Sequence, residues 1–166
     1  MSESEERNLE AREPEPKVLQ GVLVLRGENT PDEFDVVVAN ARDFLGQGGE
    51  DAPTDEWLKS EVSDAVYDRS DEISPNTVLV ARNSLELTHF ATKRFHPFRA
   101  IITSGGMLSH GFIVTREMYD HFWGRPKDFI AASNVDGVEF LKTGEEVRFI
   151  IEGRVVKILR QPYAQR

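Results

Sequence analysis

The chain has 166 residues, 39% of them hydrophobic, 30% charged and 9% aromatic, so it can bury one modest core or two small ones and is too short for a large multi-domain enzyme. With no cysteine, it has no disulfide framework, thiolate metal site or thiol nucleophile. The formal charge of −9 opposes a phosphate-rich partner, and no stretch approaches the roughly 18 to 20 apolar residues that cross a bilayer, so a soluble, cytoplasmic protein with no membrane partner is expected, a nuclear location being left open.

Residues 1–16 hold six Glu and two Pro with almost no apolar residue, and they are expected to form a disordered acidic tail. From Lys17 the pattern changes to VLQGVLVL and then, after a turn-like stretch, to EFDVVVA; both are β-branched runs of strand length. Residues 46–55, GQGGEDAPTD, are a loop. Trp57, Leu58, Val62, Ala65 and Val66 follow at a spacing that places them on one face of a short helix, capped by Thr54 or Asp55. Asp68 to Asn76 is acidic and turn-forming, and NTVLVARNSLEL supplies another strand. Residues 17–92 are therefore an acidic β-rich region with one short helix, either a divergent barrel or an α+β companion.

The second half contains five short runs rich in Ile, Val and Phe: RAIIT, HGFIVT, KDFIAA, EEVRFII and RVVKIL. Each is followed by turn signals, and five such strands in about 65 residues fit a small barrel over residues 94–162. Ser104-Gly105-Gly106 and Gly46 to Gly49 lack the spacing of phosphate-cradling loops and are read as turns. The four histidines, at 89, 96, 110 and 121, lack close metal-ligand spacing. Neither a metal, a cofactor nor an enzymatic constellation is expected.

Three motifs in this half carry a resemblance. Leu141 to Phe149 reads LKTGEEVRF, Gly111-Phe112-Ile113 ends a strand-like run, and Asp128 to Ser133 reads DFIAAS. In order and spacing, residues 99–160 resemble a cold-shock domain, the five-stranded nucleic-acid-binding member of the OB-fold class, with a longer connection from Arg116 to Lys127. The resemblance implies a mainly β protein with a five-stranded OB-type barrel in residues 93–166, preceded in 17–92 by a second β-rich region that includes a degenerate cold-shock-like domain among its readings. It also implies base stacking on His110, Phe112 and Phe129, the positions of the family's aromatic platforms. The sequence departs from the family at Thr103, Leu108, Ala131 and Ala132, which replace a tryptophan, a lysine, a histidine and an aromatic.

Tyr119, Trp123, Arg125 and Lys127 add aromatic and basic groups in the long connection, and Lys142 and Arg148 are placed near phosphates. Split at Thr92, the charge supports a basic binding module, because residues 1–92 hold 21 acidic and 8 basic side chains whereas residues 93–166 hold 8 and 12. The expected function is non-enzymatic binding of RNA or single-stranded DNA. The alternative is a protein-interaction adaptor in a ribonucleoprotein or translation-related complex, contacting its partner through the acidic half or the 116–127 connection. Exposure of Phe112, Phe129 and Tyr119 favours the first; their burial favours the second.

Overall fold

The computed structural model of the protein describes residues 15–46, 67–68, 72–91, 98–107 and 109–161. Most of the acidic tail expected over residues 1–16, the helix expected around Trp57 to Val66, and the positions Leu108 and His96 lie outside the described residues. In chain order the elements are β1 (Val18–Arg26), β2 (Glu33–Asn40), β3 (Leu45–Gly46), β4 (Tyr67–Asp68), β5 (Thr77–Ala81), α1 (Ser84–Ala91), β6 (Ala100–Thr103), α2 (His110–His121), β7 (Ile130–Ser133), β8 (Glu146–Glu152) and β9 (Val155–Arg160). Short 3-10 turns cover Ala41–Asp43 and Val138–Phe140. No helix among the described residues is long and apolar enough to cross a membrane.

The chain is mainly β and closes a barrel, with the strand order β1-β7-β6-β5-β2-β8-β9. This differs from the expected five strands in residues 94–162: the barrel has seven, and β1, β2 and β5 of the first half interleave with β6 to β9 of the second. Neither half can close alone, because β7 pairs with β1 and β8 pairs with β2. Four strands, β2, β5, β6 and β7, run parallel, and helices α1 and α2 supply the last two crossovers.

Burial follows from this layering. β5, β6 and β7 are buried at every position because the barrel interior covers one face and the helices the other, so their sequences TVLVA, AIIT and IAAS show no alternation. β8 is covered on one face and alternates, with Val147, Phe149 and Ile151 inward. Inside the barrel Phe34 lies 5.2 Å from Phe149, centroid to centroid, among Val36, Val78, Ile102 and Ile158. A second cluster lies between the sheet and the helices, where Leu79, Ile101 and Ala131 meet Leu87, Phe90, Phe112 and Tyr119.

HGFIVT, expected as a strand, is the first half of α2, and the first half of the expected exposed connection from Arg116 to Lys127 is the rest of that helix. Its buried residues, Gly111, Phe112, Thr115 and Tyr119, form a helical stripe at i, i+1, i+4 and i+8. β-branched Ile113 and Val114 disguise it, since they carry strand propensity while sitting off that stripe. Gly111 sets the helix–helix approach: a Cβ there would stand 2.9 Å from Leu87 Cδ2. The last four residues of NTVLVARNSLEL, Ser84 to Leu87, likewise begin helix α1 rather than extend the strand.

The opposite charges of the two halves meet across strands. Arg148 on β8 lies directly opposite Asp35 on β2, Nε to Oδ1 2.7 Å, and reaches Glu33 at 3.7 Å. Lys127 faces Glu28 at 3.6 Å. Part of the charge asymmetry is therefore a complementarity between interleaved strands.

Candidate functional site at the carboxyl ends of the parallel strands

β5, β6 and β7 end side by side at Ala81, Thr103 and Ser133. In open α/β sheets ligands bind at this pole, outside the carboxyl ends of parallel strands, and here it is closed by a hydrogen-bonded set of turns. Ser104 Oγ donates to the Arg82 carbonyl at 3.1 Å, the Gly105 amide to Thr103 Oγ1 at 3.3 Å, and the Asn134 amide to the Gly105 carbonyl at 2.9 Å. Asn134 itself sits at φ 55°, in the left-handed region that asparagine tolerates better than most residues. The Ser109 amide donates to the Gly106 carbonyl at 3.1 Å, fixing where α2 begins.

His110 is the first residue of α2 and is exposed to solvent. Ser109, its N-cap, has extended backbone, and its side chain makes no capping hydrogen bond, so the hydroxyl of Ser109 does not cap the positive end of the helix dipole. The two glycines before it are not forced by crowding. A Cβ on Gly105 or Gly106 would have no heavy atom nearer than 3.8 Å, an ordinary contact. They leave that stretch of the turn without side chains of its own, although the Gly105 amide is already donated to Thr103 Oγ1.

Beneath this pole lies a buried carboxylate. Glu86 of α1 is fully buried, accepts from Arg42 Nε at 3.0 Å and from the Arg82 amide at 2.8 Å, and has its own amide held by Asn83 Oδ1 at 2.9 Å. It thus fixes the Arg82 turn onto which Ser104 is bonded. Burial pushes the Glu86 carboxyl above the usual carboxylate range, against the opposing pull of the Arg42 charge. A carboxyl with a raised folded pKa binds its proton more tightly in the native state, so stability rises as pH falls through that pKa toward the ordinary carboxylate range. Denaturation midpoints measured against pH should show this rise in the wild type and not in Glu86→Gln; parallel profiles would contradict it.

The other residues singled out in the sequence fall elsewhere. Phe112 and Phe129 are 1% and 0% exposed, so neither presents a ring face to a base. Phe129 stacks on Tyr119 at 5.7 Å and meets Trp123 edge-on at 5.7 Å, and both partners are themselves buried. The Tyr119 hydroxyl donates to the Pro126 carbonyl at 3.2 Å, and burial raises its pKa. The expected stacking aromatics are thus brought together, but as the packing between α2 and the sheet. Arg125 is exposed and 3.3 Å from Asp120, and Lys127 is exposed and paired with Glu28. Lys142 sits in the turn before β8, next to Leu141 and Thr143, which bond to Asn40 at the end of β2, while Arg148 lies mid-strand against Asp35. Of the nine residues, His110 alone belongs to the pole built by Ser104, Gly105, Gly106, Ser109 and Asn134.

Those five were missed because Ser-Gly-Gly reads as a plain turn until the segment after it is recognised as helix. The available signal was an N-cap serine followed by Phe112, Thr115 and Tyr119 at helical spacing. No protein-family model matches the chain, and no curated protein sequence matches it.

Proposed function

We propose that the protein is a phosphoryl carrier in which His110 accepts and passes on a phosphoryl group. The observation that carries this reading is the exposed His110 at the first residue of α2, a few residues after the Gly105-Gly106 turn at the carboxyl pole of the parallel strands. A neutral imidazole nitrogen attacks the phosphorus of the donor, the bond from phosphorus to the donor's leaving oxygen breaks with its electron pair going to that oxygen, and the ring releases the proton of its other nitrogen. The phosphoryl oxygens then lie at the positive end of α2, which stabilises negative charge by about 0.3–1 kcal/mol. Transfer to an acceptor oxygen reverses these steps.

An internal control is built into the same helix. His121 is also exposed but stands at the negative end of α2. With about 0.3–1 kcal/mol of stabilisation at one end and a similar cost at the other, labelling by phosphoramidate should favour His110 over His121 by roughly 3- to 30-fold. Equal labelling of the two rings, followed by phosphorus NMR or peptide mapping, would count against the proposal.

The nucleic-acid reading, with the OB-type likeness that prompted it, keeps one specific support. Phe122, at the end of α2, is 65% exposed and close in sequence to Arg125 and Lys127. If that reading holds, a labelled single-stranded oligonucleotide binds at low salt and Phe122→Ala weakens it; no binding removes it.

A further inference from the structure

We propose that the mouth of the barrel holds a second site, which binds a small organic cation: a protonated primary amine on an apolar or aromatic body, with Asp136 and Glu139 as its counter-ions. His110 takes no part in it, and it does not depend on phosphoryl transfer. The ground is a cavity of about 540 Å³ between the start of β1 and the connection from β7 to β8, with Ser104 at the end of β6 in its wall. Barrel mouths and the carboxyl ends of parallel strands are both favoured places for small-molecule sites, and the volume falls within the roughly 300–1,000 Å³ usual for them.

The cavity is held open by the fold itself. Arg160, the last residue of β9, donates from Nη1 to the Pro16 carbonyl at 3.3 Å and from Nη2 to the Phe140 carbonyl at 3.2 Å, so one guanidinium ties the two sides together. Its own charge is taken up by Glu145, 2.5 Å away. Leu19 anchors the lining to the barrel core, of which it is also part. Gly137 has φ 91°, and a Cβ there would stand 3.1 Å from Pro16 Cγ, so glycine lets the backbone turn close against β1.

The chemistry of the lining selects the ligand. Val18, 41% exposed, and Phe140 offer apolar surface. Its charges are those of Asp136 and Glu139, both exposed and neither carboxylate paired among the described residues. Arg82 reaches the backbone carbonyl of Glu139, at 3.4 Å. No lysine or arginine among the described residues lines the cavity, so an anion meets like charge there and a cation meets two unpaired carboxylates. A metal ion fits less well: hard cations of the calcium type take about six to eight oxygens, and no group of three or more acidic or histidine side chains among the described residues could hold one. An ammonium on an apolar body uses both parts of the lining, its N–H groups on the carboxylates and its hydrocarbon on Val18 and Phe140.

Amide NMR of the full-length protein, titrated with phenethylammonium chloride at constant ionic strength, tests this. Shifts should centre on Gln20, Ser104, Gly137 and Phe140 and saturate at millimolar concentration. Phenylethanol, which has the same body without the charge, should bind roughly fivefold or more weakly, and the double variant Asp136→Asn, Glu139→Gln should lose a similar factor for phenethylammonium. Both substitutions are at exposed positions, and the unchanged amide spectrum of the rest of the variant verifies its fold. No saturable shift, shifts centred elsewhere, equal binding of phenylethanol, or undiminished binding by the variant overturns the proposal. The same shifts on adding calcium chloride would make this a metal site and overturn it too.

Discussion

Replacing His110 with alanine should cut acid-labile phosphoryl labelling of the protein to the lower level expected of His121 while leaving its stability within about 0.5 kcal/mol of wild type, as for other surface substitutions. The two outcomes belong together. His110 is exposed, and its side chain has no hydrogen bond or ion pair among the described residues, so truncating it removes no packing. What it removes is the imidazole at the pole where Ser104, Gly105, Gly106 and Asn134 converge. Intact-mass measurement after phosphoramidate treatment, with thermal unfolding alongside, reads both. Retained labelling at the wild-type rate would move the reactive group elsewhere, and a large loss of stability would make His110 a structural residue.

The largest effect on stability is expected at Phe129. Its ring is fully buried, lies 5.7 Å from both Tyr119 and Trp123, and fastens the last turns of α2 to the start of β7. Its backbone is also tied to the loop after β1: the amide donates to Thr30 Oγ1 at 3.1 Å and the carbonyl accepts from the Gly27 amide at 2.6 Å. Phe129→Ala should therefore cost about 3–5 kcal/mol, the range for emptying a large aromatic site that cannot collapse. Because that cavity lies at the C-terminal end of α2, the variant that remains folded should still label at His110. Denaturant unfolding gives the stability. A cost under about 1 kcal/mol would mean that the ring is a surface platform after all.

The antiparallel part of the barrel was legible in the sequence, because β8 buries alternate residues and β8 and β9 are joined by a Gly-containing turn. The parallel part was legible as strands but not as a sheet. TVLVA, AIIT and IAAS are buried on both faces, and such runs say nothing about direction or neighbour. Their order depends on pairings far apart in the chain, such as Val22 with Ser133 and Val36 with Val147, which no local pattern encodes.

α2 was hidden for a different reason. Ile113 and Val114 favour a strand intrinsically, and the close seat of Gly111 on Leu87, a tertiary contact, accompanies the helix that forms instead. The same error concealed the site. With HGFIVT as a strand, His110 becomes a stacking platform beside Phe112; with it as a helix, His110 faces solvent at the dipole's positive end while Phe112 turns into the core.

The central claim is that the Gly105-Gly106 turn and the start of α2 cradle a phosphoryl group on His110. Backbone amide NMR of the protein before and after phosphoramidate treatment tests it most directly. The account predicts that the largest shifts fall on Gly105, Gly106, Ser109, His110 and Gly111, with the far end of α2 around His121 little changed. Shifts centred on His121, or none in the Ser104 to Gly106 turn while His110 carries label, would contradict it.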